Sequence, residues 1–246
     1  MNISYQKMAD DYIKWVNKHQ KPKFTNFLDP IVREEIEYEL KKYEEISYKE
    51  DGGYENAERK VVAIFPAEIK FDLQFPITAV AITTKGEQQL THRDYLGAIL
   101  GLGLARDKIG DIIVVESKAQ IIVMEDIKDY IINNISRVGN LSVTAKEISI
   151  NEIILPEEKY KDIFATVSSL RLDSIASAAF NISRSKMAEL IRIGRAKVNW
   201  KIVDDVSYSI NVGDMISIQG RGRARVDSID GKTAKGRIKI HIKRFI

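Results

Sequence analysis

The 246-residue sequence predicts an α+β protein in three parts. The front is helical and acidic, the middle has the element order β-α-β-β-α-β, and the back is a basic module of two short helices and a strand. Three observations predict this. Hydrophobic spacing changes from helical to short β-rich runs near Val61. Charge is divided: residues 168–246 carry 16 Lys+Arg and 7 Asp+Glu, a net +9, which leaves residues 1–167 with 22 basic and 28 acidic residues, a net −6. The stretch RLDSIASAAFNISRSKMAELIRIGRAKVNW, residues 171–200, places basic and polar side chains at two helix starts and just past a helix end.

Composition bounds the answer. Apolar residues make up 44% of the chain, enough for a core. There is no cysteine, which excludes disulfides, thiolate metal sites and a thiol nucleophile. The start lacks a basic segment followed by an apolar run, so no signal peptide is expected. No apolar run approaches 18 residues, so no membrane span is expected either. A cytoplasmic location fits these readings.

Residues 1–58 are expected to form a helical domain. Asp29-Pro30 is a helix start, because Asp caps and Pro is tolerated at the first position. Ile36, Leu40 and Tyr43 follow at i, i+4, i+7, and glutamates cover the rest of the helix. Asp51-Gly52-Gly53 marks a turn or linker within residues 47–60.

Residues 59–155 are expected to form the middle domain. VVAIFPAEI and ITAVAITT are β-rich runs. A helix opened by Thr91 and stopped near Gly103 follows, then the runs DIIVVES and AQIIVME, a helix ending at Gly139, and a last strand in LSVTAKEISINEII. Counted from ITAVAITT, this is the order of a ferredoxin-like split βαβ sandwich, the layout of RRM domains. RRM domains stack bases on aromatic residues of their central strands, and these three runs contain none. Any RNA contact here would use another mechanism.

Residues 156–167 read as a connector, and the C-terminal domain spans 168–246. Leu172, Ile175, Ala176, Ala179 and Phe180 form one apolar helix face. Ser183 caps a second helix with Met187, Leu190 and Ile191 on its buried side, and Gly194 closes it. Lys197-Val198-Asn199 opens a strand, and a turn at residues 210–214 leads into Met215–Ile218. A helix start offers unpaired N–H groups and partial positive charge to a phosphate. Arg184 and Lys186 lie on such a first turn, Arg171 starts the preceding helix, and Arg192, Arg195 and Lys197 flank Gly194. Arg221, Arg223 and Arg225 follow in a Gly-bearing loop, and Lys239, His241 and Lys243 alternate with Ile238, Ile240 and Ile242 in an added hairpin.

Catalytic patterns are missing. His19, His92 and His241 lie in three separate segments with no metal-ligand spacing, so no metal and no cofactor are expected. His92-Arg93-Asp94 resembles a kinase catalytic loop, but Ile99 stands where its Asn belongs. Gly97, Gly101 and Gly103 form no dinucleotide loop.

Arg171-Leu172-Asp173, Ser183-Arg184, Leu190-Ile191, Gly194, Lys197-Val198-Asn199 and Gly213-Asp214, in that order, resemble the S4 RNA-binding domain, a small αL fold. The resemblance implies that Arg171, Ser183, Arg184, Lys186, Arg195, Lys197 and Asn199 lie at or near an RNA surface; the basic residues Arg221, Arg223 and Arg225 and the Lys239/Lys243 strand face are expected to extend it. It implies that Leu172, Leu190 and Val198 are core, and that Asp173 is structural. Together with QLTHRDYLGAILGLGLARDKIGDIIV, residues 89–114, the chain is similar to the bacterial YlmH family. That similarity implies a non-enzymatic binder of structured RNA (rRNA and tRNA). Its partner would be the large ribosomal subunit carrying a stalled peptidyl-tRNA, in ribosome-associated quality control; the family also has an association with cell division. The sequence leaves the oligomeric state open and favours a monomer. The alternative is an S4-bearing RNA-modifying enzyme of pseudouridine synthase or methyltransferase type.

Overall fold

The structure is a computed structural model that describes residues 5–84, 90–156 and 159–246. Two compact units divide the chain, residues 1–156 and 157–246. Helix and strand are mixed in both, which makes the protein α+β.

The first unit begins with α1 (Tyr5–His19), β1 (Lys23–Phe24), α2 (Pro30–Leu40), β2 (Ile46–Asp51) and β3 (Val61–Pro66). Asp29 caps α2 as its sequence position predicts: Oδ1 accepts from the backbone N–H of Ile31 at 3.0 Å and of Val32 at 3.1 Å. Ile36 and Leu40 then pack with Ile13 and Val16 of α1 against Val62 and Ile64 of β3.

The front is therefore not purely helical. Residues 46–51 pair with β3 from Ile46↔Pro66 to Asp51↔Val61, in a sheet of order β1-β3-β2. Asp51-Gly52-Gly53 does form a turn, but between two paired strands. The Asp51 carboxylate accepts from the Gly53 N–H at 2.7 Å, and Gly53 has φ +88°. Val61–Ile64 are buried, and their pairing to β2 outweighs the polar look of ISYKED.

Next come β4 (Ile77–Thr84), α3 (His92–Gly101), β5 (Ile109–Val115), β6 (Lys118–Met124), α4 (Lys128–Asn134), β7 (Arg137–Val138) and β8 (Leu141–Ile148). The sheet order β5-β6-β4-β8-β7, with every described neighbour antiparallel, is the ferredoxin-like arrangement with one short edge strand added. Thr91 opens α3 by donating its N–H and hydroxyl to Asp94, each at 2.7 Å. α4 stops at Asn134, short of the expected Gly139, because Arg137 and Val138 pair with Ser142 and Leu141 across a turn at Gly139.

Both faces of this sheet are covered. Ile109, Ile121 and Val123 meet Tyr95 and Ile99 of α3 and Ile131 of α4 on one side. On the other, Ile113, Ile122 and Met124 meet Phe27 and Val61, flanked by Ile150 and Ile153. Gln120 anchors that covering segment by bonding the Ile154 carbonyl at 2.7 Å and its N–H at 2.8 Å. A Cβ on Gly110 would stand 2.7 Å from the Phe27 ring, so only glycine permits the approach. Asp111 accepts from Tyr54 Oη at 2.8 Å, the Glu58 N–H at 2.7 Å and the Arg59 N–H at 3.2 Å. The division expected at residues 58/59 falls inside this clamp. The front and middle share one hydrophobic cluster between them, beside a core of their own in each.

The second unit contains β9 (Tyr160–Val167), α5 (Leu172–Phe180), α6 (Arg184–Arg192), β10 (Ala196–Val198), β11 (Lys201–Ile202), β12 (Met215–Ile218), β13 (Gly222–Lys232) and β14 (Ile238–Phe245). Its sheet order is β11-β10-β12-β13-β14-β9, again antiparallel between neighbours. Residues 156–167, expected as a connector, hold β9, which pairs with the whole of β14 from Val167↔Ile238 to Tyr160↔Phe245. The physical reason is a period of two: Ile163, Ala165 and Val167 turn to the core while Tyr160, Asp162, Phe164 and Thr166 turn away. Leu172, Ile175, Ala179 and Phe180 of α5 and Met187 and Ile191 of α6 cover the inner face, against Val198, Ile216, Val226 and Ile242. Both helices of this unit lie on the inner face.

Candidate nucleic-acid interface

The motif stretch folds as its residues dictate. Asn181 ends α5 in the left-handed region at φ +53°, a conformation that asparagine tolerates better than most residues. Ser183 caps α6, its hydroxyl accepting from the Lys186 N–H at 3.4 Å. Gly194, at φ +72°, closes the helix, and the Arg195 N–H returns to the Leu190 carbonyl at 3.0 Å. Leu172 and Val198 are buried and Leu190 is partly buried, in agreement with their expected core role.

Between the two helices lies a feature that the sequence only hinted at. Asp173, 5% exposed, holds both flanking arginines. Arg184 approaches it with two bonds, Nε to Oδ2 at 2.8 Å and Nη2 to Oδ1 at 3.2 Å, and Arg171 Nε meets Oδ1 at 3.2 Å. Burial disfavours the charged carboxylate. The bonds from Arg184, then Arg171, outweigh that and hold Asp173 below the usual carboxylate value. Arg184 is in turn held in its charged form by the same bond. Two guanidiniums on one carboxylate leave a net charge of +1. Arg184 is held through Nε and Nη2, with Nη1 3.5 Å from Ser168 Oγ, while Arg171 is held through Nε alone.

The other expected contact residues separate into distinct places. Ser183 spends its hydroxyl on the cap, and Lys186 stands exposed on the first turn of α6. Arg195 is exposed after Gly194 and its carbonyl accepts from the Gln219 N–H at 2.9 Å. Lys197 and Arg223 occupy one row of the outer sheet face, each registered opposite Ser217. Arg225 lies in the next row, opposite Met215 and Lys243. Arg221 is exposed in the turn between β12 and β13. The helix-start cluster at Asp173 and the Lys197–Arg223 row are thus built on different elements.

Asn199 has an internal role. Its φ is +48°, its amide donates to Asp214 Oδ1 at 2.8 Å, and its side-chain oxygen accepts from the Met215 N–H at 2.9 Å. The motif pairs Asn199 with Gly213-Asp214 because they make one turn.

Sequence reasoning missed the outer-face partners of the added hairpin. Asp227 takes Lys243 Nζ at 2.9 Å, which holds the Lys243 ammonium in its charged form, and that lysine also lies 5.1 Å from the Tyr160 ring. His241 lies between Asp162 (2.6 Å) and Asp227 (3.2 Å). The alternation in YKDIFATV was the available signal.

In the first unit, the sheet face that an RRM would use for bases is the one buried under Phe27, Val61, Ile150 and Ile153. That burial accounts for the lack of aromatic residues on its strands. No group of acidic and histidine side chains suited to a metal occurs among the described residues, and no helix among them is long and apolar enough to cross a membrane.

Three protein-family models match the chain: "YlmH, N-terminal" over residues 9–69, "Putative RNA-binding domain in YlmH" over 66–152, and "S4 domain" over 170–216. A protein of Bacillus subtilis described as "Ribosome-associated protein quality control protein P2" is 34% identical over 242 residues, which cover 96% of this chain and 93% of that one. An "Uncharacterized RNA pseudouridine synthase" of Aquifex aeolicus is 38% identical over 52 residues, 21% of this chain and 22% of that one. Among solved structures, the "Cell division protein ylmH from Streptococcus pneumoniae" has a similar fold, with a TM-score of 0.53 and 24% identity, over 61% of this chain and 92% of that one.

Proposed function

The chain belongs to the YlmH family, and on that premise we propose that it binds structured RNA, ribosomal RNA and/or tRNA, without catalysing a reaction. The Bacillus subtilis relative's name points to ribosome-associated quality control, and the proposed target is the large ribosomal subunit carrying a stalled peptidyl-tRNA.

The observation that carries this reading is the Arg171–Asp173–Arg184 cluster at the helix starts of an S4 domain. Arg184, fixed through Nε and Nη2, and Arg171, tethered through Nε, hold two positive charges in place for a phosphate, so less conformational entropy is lost when it arrives. Lys186 on the first turn of α6 and the Lys197–Arg223 row add positive charge on neighbouring elements. Such contacts position a folded RNA through its backbone and read its shape more than its sequence.

The test is sedimentation of the tagged protein with separated ribosomal subunits at rising salt, followed by crosslink mapping of the RNA. Co-sedimentation with the large subunit that falls steeply with salt is expected, because phosphate contacts release counterions. No co-sedimentation at low salt would overturn the reading.

A second reading, an RNA-modifying enzyme, draws on the match to the pseudouridine synthase, which takes in 22% of that relative. Nucleoside analysis of RNA incubated with the protein separates the two: a new modified nucleoside would favour the enzyme.

A further inference from the structure

The outer face of the second unit's sheet carries an aromatic pair that the reading above leaves unused. Phe164 and His241 sit directly opposite each other on β9 and β14. Their rings stack with centroids 4.4 Å apart and planes 8° from parallel. The imidazole cannot swing away, because Asp162 holds Nε2 at 2.6 Å and Asp227 lies 3.2 Å from Nδ1.

Phe164 is 75% exposed, a large value for a phenylalanine on a strand. β9 is the last strand of the sheet, so the ring face turned away from His241 looks past the sheet edge. One face of the ring is backed by a fixed partner and the other is open.

The surroundings choose the occupant. Beside Phe164 on the outer face stand Asp162, Thr166 and Lys239, all polar, which separate its ring from that of Tyr160 at the other end of β9, so the apolar patch at Phe164 is one ring. That is small for a protein contact, whose centre needs a contiguous apolar patch. Arg225, Arg237, Lys239 and Lys243 stand around the pair against Asp162 and Asp227, with Arg237 Nε donating to Thr166 Oγ1 at 3.1 Å. Residues 217–246 carry 9 Lys+Arg and 2 Asp+Glu. A flat aromatic ring among cations suits a planar base joined to phosphates.

We propose that Phe164, backed by His241, is a stacking platform for an unpaired base of the RNA. This rests on the RNA-binding reading and deepens it. The sheet of the first unit lacks the aromatic residues that an RRM uses, and the added strands of the second unit supply them.

The test uses the full chain and two RNA hairpins of one sequence, one fully paired in its stem and one with a single bulged 2-aminopurine. Wild type should bind the bulged hairpin on the order of tenfold more tightly, with quenched 2-aminopurine fluorescence, the range expected for one stacked base. Phe164→Ala should remove both the preference and the quenching and leave binding to the paired hairpin unchanged. Phe164→Trp should retain both. Because the ring is exposed, neither substitution threatens the fold. A wild type that does not distinguish the hairpins, or a Phe164→Ala protein that still does, would overturn the platform while leaving RNA binding intact. Failure to bind either hairpin would overturn the RNA-binding reading itself. An indifferent wild type that self-associates in sedimentation equilibrium, and loses this on Phe164→Ala, would overturn the platform in favour of a contact between copies of the chain.

Discussion

Arg184, the first residue of α6, and Asp173, the second residue of α5, are joined by two parallel bonds of 2.8 and 3.2 Å. This pair does two things at once. It fastens the helix-turn-helix, and it orients the arginine expected to meet phosphate.

Replacing Arg184 therefore changes more than affinity. Arg184→Ala leaves a buried carboxylate with Arg171 alone. It should lower stability by about 1 kcal/mol, the low end for an under-satisfied buried acceptor because the arginine is half exposed. Arg184→Lys keeps the charge and loses the second bond, so it should bind RNA more weakly than wild type and more tightly than the alanine variant. Denaturant titration alongside RNA binding checks both, and equal affinities of wild type and Arg184→Lys would refute the oriented fork.

The pH dependence follows from the depressed Asp173. Its carboxylate gives up its proton more readily in the folded protein than in the unfolded chain, so the pairing contributes in full above about pH 4, the ordinary carboxylate value. The contribution is lost as pH falls through the lower folded value. Asp173→Asn should be less stable than wild type by a constant amount from pH 5 to 7, and the gap should narrow below about pH 4. Urea midpoints measured across that range check it.

Lys197 and Arg223 share a row across the sheet through Ser217. If both meet phosphate, Lys197→Ala with Arg223→Ala should reduce the slope of log affinity against log salt by about 2. Lys186→Ala, on α6, should reduce it by about 1 independently. Salt titrations of the three proteins measure this, and an unchanged slope in the double variant would remove that row from the interface.

Asn199 should affect the fold more than phosphate contact. Asn199→Ala loses the bonds to Asp214 and Met215 at φ +48° and should cost about 1–2 kcal/mol. Asn199→Gly accepts that φ and should cost less. Thermal melts rank the two, and full stability of the alanine variant would return Asn199 to the candidate surface.

Gly110 tests the shared core of the first unit. A Cβ there meets the Phe27 ring at 2.7 Å and the Ile122 carbonyl oxygen at 3.1 Å. Gly110→Ala should destabilise that unit by about 1–3 kcal/mol and leave RNA binding by the second unit unchanged under native conditions. Differential protection from hydrogen exchange in the two units would report it.

Local chemistry made much of this protein legible from residues alone. Asp29-Pro30, Thr91 with Asp94, Ser183 and Gly194 mark helix ends because caps act on the nearest backbone groups. The βαββαβ order was legible because period and turns are local too, and the basic back followed from counting. What the sequence left undecided depends on residues far apart in the chain. Asp51-Gly52-Gly53 marks a turn or linker locally, and only pairing with β3 makes a strand of ISYKED before it. Residues 156–167 read locally as a connector, and β14, about 80 residues away, makes a strand of Tyr160–Val167 by pairing along its whole length. The bonds of Asn199 to Asp214 and Met215 could not be read locally, because they form only when the turn closes. The sequence by itself determined where most helices start, which runs favour strands, and where the positive charge lies. Only the tertiary structure decided which strands pair, which sheet face is buried, and which polar side chains are consumed by bonds within the fold, because each of these depends on a partner that sequence neighbours do not supply.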